Sequence, residues 1–528
     1  MERQGDRRTK AANPLHSAWE WATIKPSEKR TGDFTMYTIG IDLGTSAVKL
    51  LLMGEGGEIL NIASREYPIQ FPRPGWSQQD PEDWWNAVLE GIPALLEGYD
   101  ASQVRGIGAG GQMHGLVALD KDGAVLRPAI LWNDGRTQKQ VEYLNSTIGR
   151  ETLSRRTANI AFAGFTAPKL LWMRENEPEL FARIHRIMLP KDYINFRLTG
   201  VHATDYSDAS GTLLLDVAHK RWSREMLDTC GMDETQLPRL HESWETVGSL
   251  LPGIAAKLGL RTDTTVCAGA GDNAAAAVGC GVVGGGRCNI SLGTSGTVFI
   301  TSDTFGADRH NALHAFAHAD GGFHLMGCIL SAASCNKWWQ EGILGTCDYL
   351  GEEKNIDPRR LGRNSVYYLP YLMGERSPHN DPSARGAFTG LRMDTSRGDM
   401  TQAVLEGVAF AIRDCVEIAR AQGVEIRSSR ICGGGAKSPL WRTILANVLG
   451  IPLELPQTEQ GPGYGGAMLA AVACGAYPSV KDCAGKLAKV RDVTEPEPSL
   501  TAAYEGRYRL WRKVYPALRT VFQDLSEM

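Results

Sequence analysis

The sequence predicts an α/β protein built from two related halves that face each other across a cleft. Two observations carry this expectation. Thr38-Ile39-Gly40-Ile41-Asp42-Leu43-Gly44-Thr45-Ser46 and the apolar run Ala47 to Met53 are echoed by Asn289-Ile290-Ser291-Leu292-Gly293-Thr294-Ser295-Gly296 and Thr297 to Ile300. The two Leu-Gly-Thr-Ser quartets begin 249 positions apart in a chain of 528 residues. Both segments read as strand, tight turn, strand. Four identical residues in the same strand context favour duplication over two unrelated hairpins that share turn chemistry. Between and after the hairpins, strand-like and helix-like patterns alternate, as in sheets covered by helices.

The helical pattern is clearest after the first hairpin. Asp80 is placed to cap a helix with Pro81 at its first position. Trp84, Trp85, Val88, Leu89, Ile92, Leu95 and Leu96 then form one apolar face, and Pro93 is expected to kink it. A second helix is expected from about Met400 to Gln422, with Ala403, Val404, Gly407, Val408, Ala411 and Ile412 facing inward. Gly284-Gly285-Gly286 suits the linker between the halves.

Composition sets the limits. Apolar residues are 43% and charged residues 22%, an ordinary globular balance. The formal net charge of -4 supplies no basic field for nucleic acid. No apolar run approaches membrane-spanning length. Eleven cysteines without a C-x-x-C pair fit reduced thiols and a cytoplasmic location rather than a disulfide framework or a zinc site. Residues 1–35 are polar, carry five acidic residues among mixed charges, and lack the apolar core of a signal peptide, so a disordered extension is expected.

Three places could carry chemistry. The Gly-Thr-Ser turns can grip phosphate, because glycine exposes backbone N–H groups and the hydroxyls add donors. Lys49 could point toward the same phosphates or lie in solvent. Asp42 stands at the first turn where the second has Ser291. A carboxylate beside a phosphate-gripping turn suits Mg²⁺, which keeps several waters and takes one or two carboxylates; the plain alternative is an Asx-type turn contact. The third place is Val266 to Ala277, where a short apolar strand ends in Asp272-Asn273 and an alanine-rich helix begins. Asp272 there is either a base for a substrate hydroxyl or a helix cap. Two other readings fail. Gly106 to Gly111 matches G-x-G-x-x-G, but Leu116 to Leu126 reads as a hairpin around Asp120-Lys121-Asp122-Gly123, where a dinucleotide site needs a helix. No G-x-x-x-x-G-K-[ST] occurs, which excludes a P-loop.

With these residues in place, the sequence resembles the FGGY carbohydrate kinases of the actin-like ATPase superfamily. Gly164-Phe165-Thr166-Ala167-Pro168-Lys169-Leu170-Leu171-Trp172 is similar to the first family signature, and Gly386 to Leu391, continuing to Leu405-Glu406, to the second. Gly111 to Gly115, Ile130 to Arg136, Leu189 to Tyr193 and Gly374 to Asn380 are similar to the bacterial xylulokinase branch. The resemblance runs from Tyr37 to the C-terminus. It implies an α/β fold of two ribonuclease-H-like domains around a catalytic cleft, residues 36–284 binding sugar and 285–528 binding nucleotide. It implies phosphorylation of a sugar by ATP with Mg²⁺. D-xylulose is the first expectation, and ribulose, glycerol, gluconate or a related polyol the alternative. An actin-like ATPase that is no kinase is the rival from another class.

The resemblance also implies roles for single residues. Asp272 becomes the catalytic base, with Met113, His114, Trp132, Asn133 and Asn273 beside it around the sugar. Gly44, Thr45, Ser46, Lys49, Gly293, Thr294, Ser295, Gly434, Gly435 and Asn447 become nucleotide contacts, and Asp42 with Asp272 holds the metal. Sugar and ATP are the expected partners, with no nucleic acid and no membrane, and a homodimer is left open. Tyr464 departs from the pattern, standing where relatives commonly carry a small residue.

Overall fold

The computed structural model describes residues 36–308 and 310–527. The segment 1–35, expected to be an extension, lies outside the described residues. Two seven-stranded sheets organise the rest. In the first, β1 (Tyr37–Leu43) and β2 (Ala47–Gly54) pair antiparallel, with Leu43 opposite Val48 and Gly44 to Ser46 as the turn. β3 (Ile59–Glu66) continues this arrangement on the outer side of β2. β4 (Val104–Gly111) then runs parallel to β1 on its other side. β5 (Thr246–Ser249) is antiparallel to β6 (Thr265–Cys267), while β6 and β7 (Ala270–Gly271) both lie parallel to β4.

The second sheet repeats that wiring. β8 (Arg287–Leu292) and β9 (Gly296–Ser302) form its hairpin around Gly293 to Ser295. β10 (His314–Ala317) and β11 (Phe323–Ile329) extend it antiparallel. β12 (Ser428–Cys432) and β13 (Leu453–Pro456) add parallel strands, and β14 (Val490–Thr494) closes antiparallel. Apart from the extra edge strand β10 in the second sheet and the short β7 beside β4 in the first, each sheet has three antiparallel strands, two parallel ones and an antiparallel edge. The duplication read from the Gly-Thr-Ser turns is therefore present in the topology.

Eight helices matter for the site: α1 (Pro81–Leu95), α2 (Thr166–Asn176), α3 (Pro190–Thr199), α4 (Asp272–Gly279), α5 (Arg397–Ala421), α6 (Pro439–Leu449), α7 (Gly461–Ala473) and α8 (Val514–Glu527). Asp80 caps α1 by accepting from the Glu82 N–H at 3.0 Å. Pro93 falls in the last turn of α1, so the i→i−4 hydrogen bond it removes lies next to the helix end and not in its middle. α5 starts earlier than the apolar pattern predicts. Ser396 and Asp399 form a reciprocal capping box, which satisfies the free N–H groups a turn before Met400. Gly106 and Gly108 lie inside β4, and Asp120 to Gly123 form a turn, so the dinucleotide reading is excluded by the fold as well.

Helix α7 follows β13 of the second sheet in sequence but lies on the first sheet. Glycines permit the approach. A Cβ on Gly40 of β1 would come within 1.8 Å of the Gly463 carbonyl oxygen, and one on Gly108 of β4 within 2.1 Å of that of Gly466. A Cβ on Gly465 would lie 1.8 Å from the Ala275 oxygen in α4. Tyr464 is turned away from this seam. It is buried, and its hydroxyl donates to the Gly57 carbonyl at 3.0 Å in the turn after β2. The larger residue is thus accommodated without entering the seam.

Gly40→Ala should lower thermal stability by about 1–3 kcal/mol or more, the usual range for forcing an extra carbon into a closed contact. Gly485→Ala, inside the helix Val480–Leu487 with nothing within 4 Å of the new carbon, should stabilise by about 0.5–1 kcal/mol. Thermal unfolding of both variants checks the pair; equal shifts would remove the close-contact account of α7.

Candidate active site

The carboxyl ends of β1, β4 and β7 meet at one edge of the first sheet. Asp42 lies opposite Gly110, Gly271 lies opposite Gly111, and Asp272 follows as the first residue of α4. Gly271 occupies the cap position, so Asp272 is not the helix cap. Its carboxylate instead accepts from the Asn273 N–H at 2.7 Å and from Asn273 Nδ2 at 2.9 Å. Burial raises the Asp272 carboxyl to about 6, with the Asn273 hydrogen bonds opposing the rise. Asp42 is pushed up to about 7, by burial first and then by the charge of Asp272, with Lys49 opposing. Lys49 is half-buried, pairs in register with Asp42, and donates to Gln460 just before α7. Solvent therefore does not claim it.

Met113 and His114 leave the end of β4. The Met113 sulfur stands about 3.0 Å from where a Gly271 Cβ would be, so it walls the approach to Asp272. His114 has φ of 71°, uncommon for a residue with a side chain, and its surroundings hold it there. Lys169 Nζ donates to the His114 carbonyl and to the Gly164 carbonyl, both at 2.7 Å, and Thr166 Oγ1 donates to the His114 carbonyl at 3.1 Å. Phe165 stacks on the imidazole with centroids 4.8 Å apart. The segment Gly164 to Lys169 thus acts as a clamp on one peptide unit. Nδ1 of His114 is 2.7 Å from the Gly211 carbonyl, which can only accept, so Nδ1 carries the proton. Burial, then the charge of Lys169, takes the imidazole down to about 3, so it is neutral and Nε2 is an acceptor.

A buried network supports Asp272 from behind. Gly271 N donates to Ser207 Oγ at 3.1 Å, and Ser207 donates to Asp205. Asp205 also accepts from Ser243 Oγ at 2.8 Å and lies 3.0 Å from Lys191 Nζ. Lys191 reaches Asp192 at 2.6 Å and Asp208 at 3.6 Å. All four charged side chains are sealed from solvent. Burial drives the Asp208 carboxyl far up, in keeping with three carboxyls around one ammonium.

The other predicted residues divide. Trp132 is tied to the first turn, its Nε1 donating to Thr45 Oγ1 at 3.0 Å. Asn133 is exposed and lines a shallow depression with Phe71 to Ser77. In the first turn the carbonyls of Gly44, Thr45 and Ser46 are bonded inward, to Gln112, Gln79 and Tyr67, while Ser46 is exposed. In the second, Gly293 and Thr294 carbonyls accept from Ala333 and Ala332, and Thr294 and Ser295 are exposed. Gly433, with φ of 89°, presses against this turn: a Cβ there would lie 2.7 Å from the Leu292 oxygen, so Gly434 and Gly435 sit beside Gly293. Asn447 does not join them. It is fully buried in α6, donating to the Thr443 carbonyl at 2.8 Å and accepting from the Glu497 N–H at 2.7 Å. Its oxygen also accepts from Thr501 Oγ1, and no face of the amide is open to solvent.

Three comparisons fit this geometry. Residues 37–279 match the model of the N-terminal domain of the FGGY family of carbohydrate kinases, and residues 288–474 match that of the C-terminal domain. The chain belongs to the FGGY family of carbohydrate kinases. This FGGY kinase is 40% identical to the xylulose kinase of Escherichia coli K12, over 91% of this chain and 99% of that one. A crystal structure of a xyloylose (xylulose) kinase from Brucella ovis superimposes with a TM-score of 0.87 at 40% identity, covering 92% of this chain and all of that one. A gluconate kinase from Lactobacillus acidophilus matches with the same TM-score of 0.87 at 27% identity, covering 93% of this chain and 99% of that one. The backbone alone therefore does not select the sugar.

Sequence reasoning passed over Lys169, Lys191 and Asp205. Lys169 and Lys191 lie within the quoted motifs, yet nothing in a sequence says that a lysine will be buried. None of the eleven cysteines is in a disulfide, and no described helix is long and apolar enough to cross a membrane.

The raised carboxyl of Asp42 has a consequence for stability. Between the ordinary carboxylate value near 4 and its folded value of about 7, the native state binds the extra proton, so stability falls as pH rises through that window. Without ligand or divalent ions, Asp42→Asn should therefore stabilise the enzyme little at pH 4.5 and by up to a few kcal/mol at pH 8. Thermal unfolding at both values checks this; a stabilisation independent of pH would mean that Asp42 titrates as an ordinary surface acid.

Proposed function

We propose that this FGGY kinase transfers the γ-phosphoryl group of ATP to the terminal hydroxyl of D-xylulose, giving D-xylulose 5-phosphate, in the cytoplasm where ATP is made available. The observation that carries the reading is the placement of Asp272, half-open to the cleft, between the Met113–His114 corner and Asp42. The 40% identity to a xylulose kinase across nearly all of both chains supports the choice of sugar.

In this reading, Nε2 of neutral His114 accepts a hydrogen bond from a sugar hydroxyl, and Met113 closes the apolar side. Asp272, ionised above about pH 6, takes the proton of the attacking hydroxyl. The two Gly-Thr-Ser turns, with Gly434 and Gly435 beside the second, offer N–H and hydroxyl donors to the nucleotide phosphates. Mg²⁺ fits the residues present. Among the described residues no group of three or more metal-binding side chains exists, but Asp42 and Asp272 bring two carboxyls close together at the carboxyl ends of β1 and β7, opposed at Asp42 only by Lys49. Two carboxylates with waters and phosphate oxygens are what this ion takes, and when bound it would supply charge neutralisation. Closure around the sugar would keep water from the phosphoryl group.

A panel of ketoses, aldoses and polyols, read by ADP release, tests the substrate. D-xylulose should give the highest kcat/KM; a clear preference for ribulose, glycerol or gluconate would replace it.

Asp272→Asn should leave ATP binding intact and lower kcat by roughly 10²- to 10⁴-fold. In the unaltered enzyme, kcat/KM for the sugar should fall below about pH 6, because protonated Asp272 cannot accept the hydroxyl proton. A variant retaining a tenth of the turnover would remove Asp272 from the base role.

A further inference from the structure

We propose that Arg376 is an anion-binding catalytic residue that receives the phosphoryl group as it reaches the sugar and then holds the phosphorylated product. This rests on the kinase reading above.

The geometry begins at β11. Ser377 N donates to the Cys328 carbonyl at 3.0 Å, and Cys328 N donates to Ser377 Oγ at 3.0 Å, so the segment around Arg376 is docked on the second sheet. From there the Arg376 side chain crosses to the sugar-binding half, its guanidinium carbon 5.4 Å from the centre of the Phe162 ring. Phe162 touches Phe165 at 5.6 Å and His314 at 5.0 Å, and Phe165 stacks on His114. The guanidinium thus stands over the aromatic wall of the Met113–His114 corner. The charge relations agree with that position. Arg376 helps to hold both His114 and His314 neutral, and the Cys328 thiol feels Arg376 and Asp272 together.

Arg376 is exposed, and among the described residues it forms no ion pair. Its neighbours are two neutral imidazoles, a phenyl ring, the Cys328 thiol and the buried Glu375 carboxyl, which burial pushes up to about 8, so none carries a full negative charge at neutral pH. A guanidinium in a cleft without an ionised carboxylate paired to it is a receptor for an anion with several oxygens. The sugar is neutral, and the glycine turns offer donors to the nucleotide. The anion that arises at the sugar corner is the phosphoryl group itself. As it transfers, the bond from phosphorus to the sugar oxygen forms, the bond to the ADP oxygen breaks with its electron pair on ADP, and the hydroxyl proton goes to Asp272. Arg376 takes no proton and donates hydrogen bonds to the equatorial oxygens.

The loop is built to keep Arg376 in place. Its backbone N–H donates to Glu375 Oε1 at 2.8 Å, and the same oxygen accepts from Leu330 N at 3.0 Å. On the far side, α8 reaches back: Tyr515 donates to Asp381 at 2.6 Å and stacks on His379 at 3.9 Å.

The test compares the full-length enzyme with Arg376→Met and Arg376→Lys. Three quantities are read: kcat, KM for sugar and for ATP, and the dissociation constant of D-xylulose 5-phosphate without nucleotide, by titration calorimetry. Arg376→Met should lower kcat by about 10²-fold, as removal of one donor to a developing anion does. It should weaken product binding at least tenfold and leave both KM values within about twofold. Arg376→Lys should recover part of both losses, and guards against a folding defect in the methionine variant. If Arg376→Met keeps kcat and product affinity while the unaltered enzyme turns over, the proposal is overturned. A rise in sugar KM with unchanged product affinity would overturn it too, because Arg376 would then be a contact to the neutral sugar. If the substrate panel selects another sugar, the same three quantities are read with that sugar and its phosphate, so an error in the substrate does not decide the fate of Arg376.

Discussion

The active edge of this kinase depends on one contact, the approach of helix α7 to the first sheet with no side chain between them. Gly40 and Gly108 on the strands, and Gly465 and Gly466 on the helix, leave room only for backbone. Glycine inside a helix ordinarily costs about 1 kcal/mol per residue relative to alanine. The sequence accepts that cost several times over within α7. The return is positional. β1 and β4 are central strands that end in Asp42 and in the Met113–His114 corner, and α4 begins with Asp272. A helix supplied by the second half fixes all three at backbone resolution, so the candidate site on the first sheet is registered against the second half.

Around that scaffold the molecule spends its buried charges on backbone rather than on substrate. Lys169 gives its protons to the carbonyls of His114 and Gly164, and Lys191 joins Asp192, Asp205 and Asp208 under the strand that ends at Asp272. A sealed ion cluster is a poor source of stability, since desolvation consumes most of the attraction. Its value here is geometric: Asp205 and Ser207 pin the N–H of Gly271, the residue just before Asp272.

What the sequence disclosed follows from what is local. The paired turns, the cap at Asp80, the inward face of α5 and the strand-to-helix corner at Asp272 depend on residues adjacent in the chain, and each stands in the fold. The start of α5 was misjudged because apolar spacing ignores Ser396 and Asp399, which carry no apolar signal. Asn447 was placed at the nucleotide by resemblance, but its amide is occupied by the chain near Glu497, fifty residues away. Lys169 lay in a recognisable motif and was still passed over. Its place is set by burial and by partners on other elements, which no spacing rule encodes.

Duplication left one more trace. Two equal turns facing each other would hold a phosphate chain equally well in either direction. Asp42 at one and Ser291 at the other break that equivalence, since one turn stands beside a carboxylate and its counterpart beside a hydroxyl. A chain of anionic groups entering such a cleft experiences a gradient, not a mirror plane. In the proposed reaction this single difference between otherwise repeated segments gives the cleft a polarity, and so a direction for transfer, without any change in the architecture that was copied.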